Sequence, residues 1–251
     1  MQTQKNRVVN GKTFTIFGDT EDQSVFNNIM NGSDYENHMV DFYKELLNKD
    51  SVCVDVGANI GILSMYMSLF TEAPIYAFEP IKDTFEFLKK NIEFNKMNVT
   101  PFNIALSDFT GKTQFEYDPK KNGSATFSKN GTVEVEVMKL DDFVETNKIE
   151  KIDVIKMDIE GFETHMMYGA QNVIENMRPD IVTEYCPPMM RERGFEPNKF
   201  FHILESYYKN IYLVDRPVMQ LIKVTSNLQL ETILNSGYHN IGDVFATNKS
   251  L

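Results

Sequence analysis

Asp158, Glu160, Glu163 and Glu184, with Tyr185 beside the last, stand where two apolar runs end. Ile152 to Met157 and Asp180 to Tyr185 read as buried strands, so the four acids are expected at one rim of a sheet. Like charges at one rim repel, and burial disfavours the charged form. At least one of these carboxyls should therefore hold its proton above the ordinary carboxylate range. Such a group suits removal of a proton from an oxygen nucleophile. Gly161 permits a tight turn after Asp158-Ile159-Glu160. Two of the acids also have a plainer reading: Asp158 as a helix N-cap, Glu163 as a first-turn residue favoured by the helix dipole. Carboxylates in this number would also suit a hard divalent cation such as Mg2+, completed by waters and substrate. No dedicated all-protein metal site stands out, so a metal is not the favoured reading.

A second constellation lies upstream, in Val54-Asp55-Val56-Gly57-Ala58-Asn59-Ile60-Gly61. Glycines after a strand let the backbone adopt positive φ and approach a ligand. Glu79 ends the next apolar run, 22 residues after Gly57, and Pro80 stops it. An acid at that spacing reaches the two hydroxyls of a ribose. A dinucleotide fingerprint wants Gly-x-Gly-x-x-Gly, but here Asn59 and Ile62 stand where the second and third glycines would be. Asp55, just before the turn, would repel a pyrophosphate. Beside the ammonium and sulfonium of S-adenosylmethionine the same charge is favourable. The sign of Asp55 points to that cofactor and against nicotinamide.

The elements that must position these groups alternate. Ser51 to Val56, Pro74 to Phe78 and Val99 to Leu106 read as strands, with helices over Gly61 to Phe70 and Asp83 to Asn95 between them. On the second helix Phe85, Leu88, Ile92 and Phe94 form the expected inner side. Two strands, Thr113 to Tyr117 and Thr132 to Met138, interrupt the order as an antiparallel ribbon around Asn122-Gly123-Ser124. Strands then resume with a helix over Phe162 to Asn176, another over Asn198 to Lys209, a turn at Arg216-Pro217, and a last strand over Asp243 to Thr247. This order predicts an α/β fold with a mostly parallel sheet and helices on both faces. Asn10-Gly11 predicts a small hairpin within Val8 to Phe17, and Asp34 to Leu47 a helix. Residues 1–33 thus read as a hairpin extension and 34–251 as one catalytic domain.

At 251 residues and 42% hydrophobic, the chain supports one large globular core. A net charge of -11 disfavours nucleic acid and anionic membrane as partners. Lys120, Lys121 and Lys129 form a loose basic cluster, read as solvated loop. Cys53 and Cys186 read as free thiols of a reducing compartment. The first residues show no apolar signal region, and no run nears the roughly 20 apolar residues of a spanning helix, so a cytoplasmic protein is expected. The methionines read as core filling. His165 reads as off the core face, and His38, His202 and His239 as structural. The Cys186 to Gly194 segment reads as a loop shaping an acceptor pocket, with Arg191 and Arg193 as candidates for an anionic acceptor.

Taken in order, Val54 to Gly61, Tyr76-Ala77-Phe78-Glu79-Pro80, Asn103-Ile104-Ala105-Leu106-Ser107-Asp108 and Lys156-Met157-Asp158-Ile159-Glu160-Gly161-Phe162-Glu163 resemble the FkbM family of methyltransferases. Tyr35-Glu36 and Val182-Thr183-Glu184-Tyr185 extend the likeness. The resemblance implies a class I, Rossmann-like, seven-stranded methyltransferase sheet and O-methylation of a sugar or small-molecule hydroxyl. It implies that Gly57, Asn59 and Gly61 cradle the methionine part of the cofactor, with Glu36 over that end. Glu79 and Pro80 would hold the ribose, and Leu106, Ser107 and Asp108 the adenine. Two rivals stand beside it: an NAD-dependent oxidoreductase, which the glycine spacing disfavours, and a non-catalytic cofactor-binding scaffold. Acceptor identity, the general base and the oligomeric state are not in the sequence.

Overall fold

The computed structural model describes residues 2–120, 125–128, 130–215 and 220–250. Lys121, Lys129, Asn122-Gly123-Ser124 and the Arg216-Pro217 turn lie outside them. The chain falls into two compact units, residues 1–105 with 111–137 and residues 106–110 with 138–251.

The first unit opens with strands β1 (Gln2–Val9) and β2 (Lys12–Asp19), a longer hairpin than the apolar pattern alone suggests. Asn10 (φ 48°) and Gly11 (φ 75°) make its two-residue turn with both φ positive. Helices α1 (Phe26–Met30) and α2 (His38–Leu46) follow. Next come β3 (Cys53–Val56), α3 (Ile62–Met67), β4 (Ile75–Phe78), α4 (Lys82–Asn95) and β5 (Val99–Phe102). β4 lies between β3 and β5, parallel to both. Every residue of β3 is buried, Asp55 included, as a strand covered on both faces requires. On α4 the inner side is Thr84, Phe87, Leu88, Asn91 and Ile92. Phe87 thus takes the place expected for Phe85, and Phe94 is 58% exposed with its ring edge-on to Phe17.

Asn91 and Asn95 use their amides on β2. Asn91 Oδ1 accepts from Phe17 N at 2.7 Å, and its Nδ2 donates to the carbonyls of Phe17 and Ile60. Asn95 does the same for Thr15 N and O. A side-chain ladder thus satisfies a strand edge that, among the described residues, pairs with no other strand, and ties the hairpin to the glycine turn. β6 (Ala105–Leu106) sits where the chain passes between units. The expected third strand is therefore two pieces, split after Phe102. The ribbon is β7 (Gly111–Glu116), antiparallel to both β8 (Thr126–Phe127) and β9 (Val133–Met138).

The second unit contains α5 (Leu140–Asn147), β10 (Val154–Met157), α6 (Glu163–Tyr168), α7 (Gln171–Met177) and β11 (Asp180–Tyr185). These are followed by α8 (Pro187–Glu192), α9 (Pro197–Tyr207), β12 (Asn210–Asp215), β13 (Gln220–Val224), α10 (Asn227–Gly237) and β14 (Gly242–Thr247). β10 runs parallel to β11; β14 lies antiparallel between β11 and β12, and β13 flanks β12. β13 is an edge strand beyond what a seven-stranded plan needs. All of β10 and β14 is buried.

Two expectations need correcting here. The helix expected over Phe162 to Asn176 is α6 and α7, parted at Gly169. A Cβ on Gly169 would lie 1.9 Å from the Ser107 carbonyl oxygen, so the helix yields where that backbone passes. The loop expected after β11 contains a helix, α8, started by Pro187 and Pro188 in its first turn.

Candidate active site

In the first unit, the turn after β3 takes three positive φ values: Gly57 (75°), Asn59 (51°) and Gly61 (93°). Gly57 N and Ala58 N donate to the Phe78 carbonyl, anchoring the turn to the end of β4. Glu79 is only 5% exposed. Its Oε2 accepts from Asn59 N at 3.0 Å and its Oε1 from Ile81 N at 2.9 Å. The acid expected at a ribose therefore also holds the strained Asn59 turn in place. Asp55 is fully buried on β3 and accepts from the Ser64 hydroxyl at 2.6 Å. Asn103, the first residue of the Asn103 to Asp108 motif, donates to the carbonyls of Glu79 and Pro80 and so fixes the strand end. Its signal was the placement of an amide shortly after the third strand. Glu36 (φ 51°) precedes α2, with its carboxylate 3.4 Å from His38 Nε2, so His38 does have a partner.

In the second unit the carboxylates behave otherwise. Glu163 opens α6 and is wholly buried, with Oε1 accepting from Ile159 N at 3.1 Å and from Gly161 N at 3.3 Å. It closes the turn that carries Glu160 (φ 60°) and Gly161 (φ 93°). Asp158 is not the helix N-cap; Phe162 is. Lys156, buried on β10, places Nζ 3.9 Å from Asp158. Burial, followed by the charge of Asp158, pushes Glu160 up to about 8. Burial also pushes Glu163 up to about 7, against the pull of its backbone donors. Glu184 rises well above the usual range, through burial first and then the charges of Asp158, Glu160, Glu163 and Asp243. Asp158, Glu160, Glu163 and Glu184 therefore share one electrostatic environment, in which the charge of Asp158 raises each of the other three.

Leu106, Ser107 and Asp108 belong to this unit. Ser107 N donates to the Met138 carbonyl. Asp108 Oδ2 lies 3.0 Å from His165 Nδ1. The Nδ1 hydrogen does not aim along that line, so the contact is one of charge when the imidazole is protonated. His165 packs between Phe162 and the edge of Phe195, at 6.0 and 4.6 Å between centroids. It is thus neither a free surface histidine nor part of the carboxylate rim. Cys53 and Cys186 are free thiols.

A family model described as the methyltransferase FkbM domain matches residues 55–212. The chain belongs to the FkbM methyltransferase family. Hexuronic acid methyltransferase AglP of Haloferax volcanii is 32% identical over 148 residues, covering 59% of this chain and 61% of that one. 2-O-methyltransferase NoeI of Sinorhizobium fredii is 28% identical over 184 residues, covering 64% and 74%. The chain therefore spans less than two thirds of the length of AglP. The solved structure of methyltransferase FkbM from Methylobacillus flagellatus aligns with a TM-score of 0.51 at 14% identity, over 85% of this chain and 52% of that one. At that identity the likeness speaks for the fold alone: Rossmann-like α/β of the class I methyltransferase kind, here with an added antiparallel ribbon. Among the described residues, no helix is long and apolar enough to cross a membrane.

Proposed function

We propose that this FkbM-family chain is an S-adenosylmethionine-dependent O-methyltransferase that acts on a hydroxyl of a sugar or small-molecule acceptor. The observation that carries the cofactor choice is the pair of carboxylates at the glycine turn. Asp55 and Glu79 are both buried beside a backbone held at positive φ. Two carboxylates fit a ligand with an ammonium, a sulfonium and a ribose diol, and they repel a pyrophosphate. Gly57, Asn59 and Gly61 would hold the methionine part and Glu79 the ribose. The two relatives' names, hexuronic acid methyltransferase and 2-O-methyltransferase, support a carbohydrate acceptor.

The bound cofactor supplies a methyl group already activated by its sulfonium. What remains for the chain is to orient the acceptor hydroxyl and take its proton. Glu160, raised to about 8, keeps its proton near neutral pH and serves as a hydrogen-bond donor there, and Glu184 is raised in the same direction by burial and then by the neighbouring acids. Asp158, with Lys156 Nζ 3.9 Å from its carboxylate, would be the base that takes the acceptor hydroxyl's proton, while the bound cofactor would give up its methyl group and leave as neutral S-adenosylhomocysteine. Glu163 shapes the turn that aims Asp158 and Glu160.

Calorimetry with S-adenosylmethionine, S-adenosylhomocysteine and NAD tests the cofactor, and transfer of labelled methyl to a sugar panel tests the reaction. Binding of S-adenosylhomocysteine without NAD is expected. Tight NAD binding without S-adenosylhomocysteine overturns the reading.

A further inference from the structure

Asn91 of α4 is fully buried, and its amide joins two segments that are distant in the chain. Oδ1 accepts from Phe17 N of β2 at 2.7 Å, and Nδ2 donates to the carbonyls of Phe17 at 3.1 Å and Ile60 at 2.8 Å. Phe17 belongs to the N-terminal hairpin and Ile60 to the glycine turn. The residues that the family model matches begin at 55, after the hairpin. The Ile60 carbonyl stands just ahead of α3, whose first bond goes to the next carbonyl, from Met65 N to Gly61 O. The peptide that carries the Ile60 oxygen also carries the Gly61 N–H, which donates to the Ala58 carbonyl at 2.8 Å. A peptide is planar, so bonds at both its ends fix its rotation. The turn is thus gripped twice, by Glu79 at Asn59 N and by Asn91 at Ile60 O. Asn95, one helical turn on, bonds Thr15 N and O in the same manner, and its remaining bond goes to the Asn91 carbonyl rather than to the glycine turn.

We propose that Asn91 is a positioning residue of the cofactor site. Seated on the edge of β2, it fixes the peptide between Ile60 and Gly61, and with it the end of the turn that holds the methionine part of S-adenosylmethionine. A buried amide must spend its hydrogen bonds inside the protein. The two bonds to Phe17 orient it, and the third carries that orientation to the turn. The hairpin therefore acts on cofactor affinity through Asn91. The ribose end is held separately, since Glu79 bonds Asn59 N and Ile81 N. This rests on the cofactor reading above and deepens it.

The test is calorimetry on the whole chain with two ligands, S-adenosylhomocysteine and methylthioadenosine, which lacks the amino-acid part. Asn91→Ala strands the Ile60 carbonyl and should weaken S-adenosylhomocysteine at least about ten-fold, with methylthioadenosine affinity kept. Asn95→Ala removes the matching bonds to Thr15. It should lower the melting temperature as well, with both affinities kept. Unchanged S-adenosylhomocysteine binding in Asn91→Ala, an equal loss for both ligands, or the same loss in Asn95→Ala overturns the proposal. The unaltered chain gives an independent arm, because coupling between two sites is reciprocal. Saturating S-adenosylhomocysteine should slow hydrogen exchange, followed by NMR, more at Phe17 N than at Thr15 N. Equal slowing overturns the proposal even where Asn91→Ala does not fold. If the unaltered chain binds S-adenosylhomocysteine and these differences are missing, only the role of Asn91 fails. If it binds neither ligand, the cofactor reading falls and this proposal with it.

Discussion

The glycine turn and the carboxylate rim are both built around buried acids, yet they treat them oppositely. At the turn, Glu79 spends each oxygen on a backbone N–H, and Asp55 accepts a hydroxyl. The two bonds to Glu79 hold the backbone of the turn in one shape. At the rim, burial outweighs the donors that Glu163 has, and it raises Glu160 and Glu184 as well, with the neighbouring carboxylates adding to it. The first region is pre-organised by hydrogen bonds, as a binding cradle should be. The second is held near its proton affinity, as a site that moves a proton should be. Binding and chemistry thus call for different environments around the same side-chain type.

The contrast can be broken at several points. Asp158→Asn removes the proposed base and should cut turnover by about 10²–10⁴-fold, with S-adenosylhomocysteine affinity kept. Full activity would move the base elsewhere on the rim. Glu79→Ala strips the acceptors from Asn59 N and Ile81 N as well as the proposed ribose contact. It should weaken S-adenosylhomocysteine by about 1–3 kcal/mol, and an unchanged dissociation constant would take Glu79 off the ribose. Gly61→Ala forces a side chain to φ 93° and to 2.7 Å from Leu88 Cδ1. A loss of roughly 1–3 kcal/mol in denaturant unfolding is expected; no loss would mean that Leu88 and the turn yield.

Stability against pH sharpens the comparison further. Glu163 and Glu160 are raised from 4.5 to about 7 and about 8. The folded state then holds protons that the unfolded chain has released. Their contribution is fully present below the unfolded value and is lost as pH rises through the folded ones. The melting temperature should therefore fall between pH 5 and pH 9. Glu163→Gln keeps an acceptor for Ile159 N and Gly161 N, so it should change stability near pH 5 by less than about 1 kcal/mol. It should also flatten the slope between about pH 5 and 7; an unaltered slope would show that Glu163 is not the titrating group.

Much of this was legible from local pattern. The alternation of strands and helices, the Asn10-Gly11 hairpin turn and the glycine turn after β3 follow from periodicity and from residues that accept positive φ. Asp158, Glu160, Glu163 and Glu184 were placed together because they end neighbouring parallel strands, β10 and β11. Nothing in the sequence separates their roles. That Glu163 builds a turn, that His165 faces Asp108 and that Arg191 pairs with Glu231 depend on which groups lie across space. The break at Gly169 is of the same kind, since it answers to the Ser107 carbonyl, 62 positions earlier in the chain. Strand order and the residue types at strand ends belong to the sequence, because they rest on near neighbours and backbone preference. Proton affinity and the pairing of charges belong to the tertiary structure, because burial and distance set them and neither is a property of one segment.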